Sequence, residues 1–209
     1  MMKGIILSGG SGSRLYPITL SISKQIIPIY DKPMVYYPLS VLMLAGIRDI
    51  MIITNKEYLK IFKNQLGDGR SLGIKISYKI QKKPNGIPEA FLIAKKFIEN
   101  QNVLLILGDN LFYGQELSSL LKKPFNKDDG AKIFLHQVKN PNSYGVVEFH
   151  KKNKIKKIIE KPKKYISNFA VTGMYMFDQK VISLTKKLKP SKRNELEITN
   201  LLNFYLKKK

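Results

Sequence analysis

The chain has 209 residues, and its 44% hydrophobic and 10% aromatic content is typical of a globular domain rather than a disordered chain. The absence of cysteine excludes disulfides, thiolate metal sites and a cysteine nucleophile, and it agrees with a cytoplasmic location. The 37 basic and 15 acidic residues give a net charge of +22. The lysines are spread along the chain without a nucleic-acid-binding motif, so we favour compositional drift over specific nucleic-acid binding.

No targeting or membrane segment is expected from the hydrophobic pattern. The apolar run that follows Gly4 is only Ile5-Ile6-Leu7, which is too short for a signal peptide. The longest apolar stretch, 34–45, contains Pro38 and is too short to span a bilayer. We therefore expect a soluble cytoplasmic protein with no membrane partner.

The first 108 residues predict strands and helices in alternation. Buried strands are expected at 5–7, 49–54 and 103–107, a half-buried strand at 75–81, and helices at 34–45, 56–66 and 88–99. This order predicts an α/β fold with a Rossmann-like, doubly wound parallel sheet and right-handed crossovers. In such sheets ligands bind beyond the carboxyl ends of the strands.

The second half predicts a different arrangement, with several strands before two helices. Strands are expected at 132–138, 146–149, 154–159 and 169–177, with a turn at 151–153, and helices at 180–188 and 195–206. Gly173 interrupts the last strand, and Asn194 is a plausible cap of the last helix. We find no internal repeat or linker, so residues 1–209 are expected to form one domain with a mixed sheet.

A glycine-rich loop follows the first strand as Ser8-Gly9-Gly10-Ser11-Gly12-Ser13-Arg14. Glycines among small hydroxyl residues leave backbone N–H groups uncovered, which suits phosphate oxygens. Arg14 and, ten residues later, Lys24 add positive charge. The loop matches neither the Walker nor the dinucleotide pattern, and a plain tight turn is the alternative.

Two further positions carry acidic groups at strand ends. Asp109 follows the buried strand 103–107, where a carboxylate could hold Mg²⁺ against phosphate oxygens or simply form a turn. A magnesium-bound nucleoside triphosphate would explain Arg14, Lys24 and Asp109 together. Glu160-Lys161 ends another strand and could bind a sugar phosphate, although a solvated ion pair is the simpler interpretation.

Four other residues have ordinary structural interpretations. His136 and His150 lie in or beside expected strands without a partner motif, Tyr144 suits a turn, and Arg193 suits a surface charge.

Taken together, the motifs resemble those of the bacterial glucose-1-phosphate thymidylyltransferases, along essentially the whole chain. The block 31–50, DKPMVYYPLSVLMLAGIRDI, is specific to this branch and unlike the uridylyltransferases. The other matching segments are GIILSGGSGSRLYPIT (4–19), LGDN (107–110), YGVVEF (144–149), EKP (160–162), AVTGMYMFD (170–178) and ELEITN (195–200).

The resemblance implies the nucleotide-diphospho-sugar transferase fold, incomplete at the C-terminus. It implies Mg²⁺-dependent transfer of a thymidylyl group from dTTP to glucose 1-phosphate, giving dTDP-glucose and pyrophosphate. The product would serve deoxysugar (dTDP-rhamnose type) and cell-surface polysaccharide synthesis. The family also forms homo-oligomers.

The resemblance places a nucleotide-binding half at about 1–110. Arg14 and Lys24 would stabilise the departing pyrophosphate, Gln25 and Gln81 would read the thymine edge, and Asp109 would bind the metal. The full nucleotide-binding set is Ser8, Gly9, Gly10, Ser11, Gly12, Ser13, Arg14, Lys24, Gln25, Gln81, Gly86 and Asp109.

The sugar-phosphate-binding half is placed at about 111–209, together with Asn110. Lys161 would hold the phosphate and complete a catalytic set with Arg14, Lys24 and Asp109. The sugar-phosphate residues are Asn110, Tyr144, Gly145, Glu160, Lys161, Val171 and Arg193.

Three departures from the family pattern affect the expected function. Ser13 replaces a usual threonine, and Asn85-Gly86-Ile87-Pro88-Glu89-Ala90 replaces Asp-Gly-Leu-Ala-Gln-Ala. The chain stops before the family's Trp-Leu-Asp-Thr-Gly-Thr segment, which supplies a second magnesium carboxylate.

Two functional hypotheses therefore remain: an active or weakly active thymidylyltransferase, and a remnant that binds nucleotide without turnover. A basic nucleic-acid-binding protein is a third, supported only by the net charge.

Overall fold

The computed structural model describes residues 2–10, 12–126, 129–151 and 154–207. The strands are β1 (Met2–Ser8), β2 (Pro28–Ile29), β3 (Lys32–Pro33), β4 (Asp49–Thr54), β5 (Lys75–Ile80), β6 (Asn102–Leu107), β7 (Ala131–Gln137), β8 (Gly145–Phe149), β9 (Ile155–Glu160) and β10 (Phe169–Phe177). The α-helices are α1 (Tyr36–Leu44), α2 (Leu59–Leu66), α3 (Glu89–Ile93), α4 (Lys95–Ile98), α5 (Leu117–Lys122), α6 (Val181–Thr185) and α7 (Ile198–Leu206). Short 3₁₀ turns lie at Ser13–Leu15, Ile18–Leu20, Lys24–Ile26, Lys56–Tyr58, Arg70–Leu72 and Pro141–Ser143. Within these ranges no helix has both the length and the apolar character that a membrane crossing requires.

One mixed sheet of eight strands organises the molecule. Its order is β5-β4-β1-β6-β10-β8-β9, and β7 pairs with β10 outside this path. Strands β5, β4, β1 and β6 run parallel to one another. Strand β10 is antiparallel to β6, and it pairs antiparallel with β7 and β8, as does β8 with β9. The predicted mixed α/β sheet with a parallel first half is confirmed.

Alternation along the central strands divides the apolar side chains between two cores. Ile5 and Leu7 of β1 belong to a core with Phe91 of α3, while Ile6 belongs to a core with Phe62 of α2. Successive strand residues point to opposite faces, so a strand buried on both sides must be apolar throughout. This requirement explains the continuous hydrophobic runs in the first half.

Strand β10 carries the irregularity that its glycine predicted. Its register with β7 shifts between Val171 and Tyr175. Within this shift, the Gly173 N–H donates to Asn110 Oδ1 at 3.1 Å. A Cβ at Gly173 would lie only 2.5 Å from that oxygen, so only glycine allows the contact. The bulge thereby ties β10 to the carboxyl end of β6.

The last helix begins later than expected, and the prediction of Asn194 as its cap is wrong. Helix α7 starts at Ile198 with Glu197 at its N-cap, and Asn194 adopts a left-handed backbone with φ 62°. The Leu196 N–H donates to Asn85 O at 2.8 Å, which holds the preceding segment against the loop after β5.

Two other predicted helices are shorter than expected. α6 ends at Thr185 rather than 188, and the predicted helix 88–99 divides into α3 and α4 at Ala94. The turn expected at 151–153 lies partly outside the described residues.

The outer edge of β9 is covered by one side chain of α7. Asn203 Oδ1 accepts the Ile158 N–H at 3.0 Å, and Asn203 Nδ2 donates to Ile158 O at 2.7 Å. The amide therefore satisfies both backbone groups of Ile158 as a neighbouring strand would. This pair of bonds joins the final helix to the final strand of the sheet.

We expect Asn203→Ala to lower the free energy of unfolding by about 1–3 kcal/mol, because two backbone groups lose their partners. Asn200→Ala, on the exposed face of the same helix, should be neutral because alanine favours helix. Chemical denaturation of both variants measures the difference. Equal stabilities would show that Asn203 does not hold the edge.

Candidate active site

The glycine-rich loop is held from behind by side chains that bind its carbonyl oxygens. Gln25 Nε2 donates to Gly9 O at 3.4 Å, and Asn55 Nδ2 donates to Gly10 O at 3.3 Å. Thr19 Oγ1 donates to Gly12 O at 2.8 Å. These three hydrogen bonds fix the side of the loop that faces the protein.

On the opposite side of the loop, backbone N–H groups remain without acceptors. Gly10 and Gly12 have φ of 92° and 64°, in the left-handed region that favours glycine. No acceptor among the described residues takes the N–H of Gly10, Gly12 or Ser13. Successive free N–H groups form a concave anion-binding surface, as the sequence predicts. Ser11 lies outside the described residues.

Lys24 and Asp109 meet where β6 ends beside the loop. Lys24 Nζ forms an ion pair with Asp109 Oδ2, and Asn110 Nδ2 donates to Asp109 Oδ1 at 3.0 Å. Both members of the ion pair are about 30% exposed, at 28% and 30% of their side chains. The pair is therefore open to solvent and accessible to a ligand.

The two predicted base-reading glutamines differ in their surroundings. Gln25 is 3% exposed, accepts from Ser23 Oγ at 2.7 Å and donates to Gly9 O. Its amide is already engaged on both sides. Gln81, 5% exposed, donates to Glu89 at 2.7 Å, and its carbonyl oxygen lies over Gly9. Gln81 is therefore the better placed of the two to meet a ligand.

A second group of residues gathers around the first pair of β8 and β9, in which Gly145 lies opposite Glu160. A Cβ at Gly145 would lie 2.7 Å from Thr199 Cγ2, so α7 approaches this position closely. The Lys161 N–H donates to Tyr144 O at 2.9 Å, and Lys161 itself has φ 42°. This backbone turns Lys161 to the exposed rim directly after Glu160.

Arg193 is held by carboxylates rather than lying free on the surface. Its Nε and Nη2 donate to the two oxygens of Glu197 at 3.1 and 2.6 Å, and Nη2 also donates to Glu160 at 3.3 Å. Ser191 Oγ donates to Glu197 at 2.6 Å. A bidentate arginine–carboxylate pair fixes the guanidinium plane. The interpretation of Arg193 as a plain surface charge is therefore wrong.

The two carboxyl groups beside Arg193 are shifted in opposite directions. Burial, and then the charge of Glu197, raise the pKa of Glu160, with Arg193 and Lys161 opposing them. Burial also acts to raise the pKa of Glu197, but hydrogen bonds from Arg193 and Ser191 outweigh it and lower that pKa. Glu197 therefore carries the firm negative charge of the network.

Three adjoining cavities of 260, 410 and 460 Å³ connect these groups. Lys24 and Asp109 line the first two, and Arg14 lines the second and the third. The first also contains Gly9, Gly10, Gln25, Gln81, Gly86 and Glu195. The third contains Asn110, Tyr144, Gly145, Glu160 and Val171. Shared walls make one continuous cleft beyond the strand ends.

Two larger cavities, of 560 and 710 Å³, lie around α7 and away from this cleft. One is mainly apolar with Asp178 and Tyr205, and the other is lined by five lysines. Neither brings together the groups that the motifs predict, so we place the candidate site in the cleft.

Comparison with known proteins matches residues 3–209 to the nucleotidyl transferase family. The glucose-1-phosphate thymidylyltransferase of Neisseria meningitidis serogroup A is 55% identical over 205 residues, 98% of this chain and 71% of that protein. The Mycobacterium tuberculosis enzyme of the same name is 50% identical over 98% of this chain and 71% of its own length. This chain belongs to the glucose-1-phosphate thymidylyltransferase branch of the nucleotidyl transferase family.

Solved structures of family members agree with this fold. A Bacillus anthracis structure, described as a glucose-1-phosphate thymidylyltransferase with sucrose, matches with TM-score 0.91 and 43% identity, over 100% of this chain and 84% of that chain. A UDP-glucose pyrophosphorylase complexed with UDP-glucose matches with TM-score 0.84 and 27% identity, over 100% and 88%. The nucleotidyltransferase fold predicted from the motifs is confirmed.

Of the predicted residues that the structure describes, most line this cleft and three do not. Ser8 is 1% exposed, so its side chain is buried and does not line the cleft. Lys161 and Arg193 lie at the rim, Arg193 through its bond to Glu160. His136, which the sequence assigned to structure, lies on the wall of the third cavity.

Three carboxylates in this cleft were missed in the sequence analysis. Glu195 lines the same cavity as Gln81, Glu197 holds Arg193, and Glu89 holds Gln81. The repeated acid of Glu195-Leu196-Glu197 was a usable signal, because an extended segment places both side chains near one arginine. For Glu89, the only signal in the sequence was that it stands where the family usually has Gln.

We expect Glu160→Gln to gain stability over the wild type as pH rises from 4 to 7. A raised pKa means that the folded chain favours protonated Glu160, and this contribution is lost as pH rises through the raised pKa. The variant has no charge to lose. Urea denaturation at both pH values gives the difference.

Glu148→Gln is the control with the opposite sign. Its hydrogen bond to Lys156 lowers the pKa of Glu148, so the wild type should gain over this variant as pH rises. The same sign for both variants would show that burial does not dominate at Glu160.

Proposed function

We propose that this chain transfers a thymidylyl group from dTTP to glucose 1-phosphate, in a reaction that requires Mg²⁺. The observation that carries the proposal is the junction of the three cavities. Arg14 lines both the phosphate-loop cavity and the cavity of Glu160, while Lys24 and Asp109 join the loop to Gln81. A triphosphate on the loop would thus lie beside a sugar phosphate.

The nucleotide half of the cleft suits a base and a polyphosphate. The donors of Gly10, Gly12 and Ser13 would hold phosphate oxygens, and Arg14 and Lys24 would stabilise the charge that builds on pyrophosphate. Gly86 has φ 99°, and a Cβ there would overlap Leu196 O, so it closes the base end against the segment before α7.

The sugar half supplies acceptors and positive charge. Glu160 would accept hydrogen bonds from sugar hydroxyls, and Lys161 at the rim would hold the phosphate of glucose 1-phosphate. An oxygen of this phosphate would attack the α-phosphorus in line, and the bond from the α-phosphorus to the pyrophosphate oxygen would break. The protein contributes position and charge to this step.

The residues around Asp109 fit Mg²⁺ bound together with a nucleotide. The described residues form no cluster of three or more acidic, histidine or cysteine side chains, so they make no closed metal cage. Mg²⁺ usually binds one or two carboxylates and takes its other ligands from phosphates and water. Asp109 would hold the ion, which when bound would neutralise phosphate charge.

The hydrogen-bond partners of Asp109 favour a second function, nucleotide binding without turnover. Both Asp109 oxygens already have partners, Lys24 and Asn110, and Asp109 is the one carboxylate that we assign to the metal. If the chain is active, its product would be dTDP-glucose. The use of this product in deoxysugar and polysaccharide synthesis stays a prediction.

Calorimetry with dTTP tests the nucleotide half. We expect measurable binding by the wild type and a loss of about tenfold or more in Arg14→Ala, because a multidentate phosphate contact is removed. Arg70→Ala is the control, since Arg70 is exposed and pairs with Asp68. A folded wild-type chain that does not bind dTTP would refute the proposal.

Release of pyrophosphate from dTTP and glucose 1-phosphate, measured with Mg²⁺, tests turnover. We expect Asp109→Asn to lower kcat by about a hundredfold, since the carboxylate that would hold the metal beside the triphosphate is lost. Asp31→Asn, in an exposed pair with Lys32, should match the wild type. Binding of dTTP without any pyrophosphate release would favour the second function.

A further inference from the structure

The cavity of 710 Å³ is the largest of the five, and lysines dominate its lining. It lies between α7, the edge strand β9 and the segment that follows α6, and we name it the lysine groove. The groove shares no lining residue with the three cavities of the candidate cleft. Its lysines are Lys156, Lys157, Lys187, Lys189 and Lys207.

Among the described residues that line the lysine groove, none is acidic. Each of the other four cavities includes a carboxylate, from Asp178, Asp109 or Glu160. Like charges grouped in a concave surface focus a positive potential there, and this potential attracts anions. The positive charge that is spread along the sequence is thus gathered locally in this groove.

Few of these lysines are neutralised by a neighbouring acid. Lys156 forms an ion pair with Glu148 at 2.6 Å. The other four lysines are exposed, and within the described ranges they have no acidic group at ion-pair distance. The lysine groove therefore keeps several positive charges that an external anion can meet.

The lysine groove also has an apolar wall that is joined to the core. Leu188, Phe204 and Leu206 line the groove, and all three are partly buried residues that pack against the first core. An aromatic side chain beside a row of cations is the combination that holds single-stranded nucleic acids, because bases stack on the ring while phosphates meet the cations. Phe204 supplies this aromatic surface.

We propose that the lysine groove binds single-stranded nucleic acid without sequence preference. The lysines would pair with backbone phosphates, and Phe204 would stack on a base. A flexible strand can enter a concave groove, whereas a flat membrane surface cannot. An acidic peptide would meet the lysines but would leave the aromatic ring without a partner. The inference is independent of the proposed function, because the groove lies away from the cleft.

Fluorescence anisotropy with a labelled oligodeoxyadenylate of about eight nucleotides tests the inference. The groove variant is Lys157→Gln/Lys187→Gln/Lys189→Gln/Lys207→Gln. We expect it to bind the strand about tenfold or more weakly than the wild type. The slope of log affinity against log salt concentration should also fall by about 0.7 for each phosphate contact that is lost.

The matched control removes the same number of charges near the opposite edge of the sheet. It is Lys56→Gln/Lys60→Gln/Lys63→Gln/Lys79→Gln, at exposed positions on β5 and on or just before α2. Its affinity should stay within about twofold of the wild type, because the lysine groove is intact. Equal weakening of the two variants would overturn the inference, since the general charge of the chain would then bind the strand.

An abasic strand of the same length tests the role of Phe204. We expect the wild type to bind it about tenfold more weakly than the oligodeoxyadenylate, because a stacked base is lost. Phe204→Leu should bind the two strands alike, and chemical denaturation checks that this variant is folded. Equal binding of the two strands by the wild type, or equally tight binding of polyglutamate, would overturn the assignment to nucleic acid.

Addition of dTTP to the complex separates this site from the candidate cleft. We expect dTTP to leave the strand bound, because the two sites share no residue. Displacement of the strand by dTTP would place it in the cleft and overturn the inference. A wild-type chain that binds the strand but not dTTP would refute the proposed function and leave this inference standing.

Discussion

The parallel pairing of β1 with β6 is the constraint on which the site depends. It brings the glycine-rich loop and Asp109 to the same edge, although about 100 residues separate them in the chain. The Gly108 N–H donates to Leu7 O at 2.9 Å, and a Cβ at Gly108 would overlap Ser8 Oγ. The two strands therefore reach their ends in close contact, and Lys24 meets Asp109 across that contact.

The antiparallel strand β10 extends this edge to the cavity of Glu160. Its bulge carries Gly173 to Asn110, so the turn that holds Asp109 is supported by a strand from the second half of the chain. The segment before α7 closes the cleft from another direction. The Leu196 N–H donates to Asn85 O, and Arg193 donates to Glu197. The loop cavity and the cavity of Glu160 thus lie within one packed unit.

Hydrogen bonding as well as burial decides where charge lies within the cleft. Glu160 is pushed toward its protonated form by burial and by Glu197, whereas Glu197 is kept ionised by Arg193. The cleft thereby combines positive charge near the loop with a carboxyl group suited to hydrogen bonding in the cavity of Glu160. Neither property follows from the large net charge of the whole chain.

The sequence by itself determined the strands of the parallel half, the loop and the family, because buried strands need continuous apolar runs and the loop needs glycine. It placed Asp109 and Gln81 at strand ends correctly for the same reason. Only the tertiary structure decided that Ser23 donates to Gln25, that Arg193 is held by Glu197, and that Gln81 donates to Glu89. These are hydrogen bonds between side chains, and their direction depends on atoms brought together by folding, which spacing along the chain does not record.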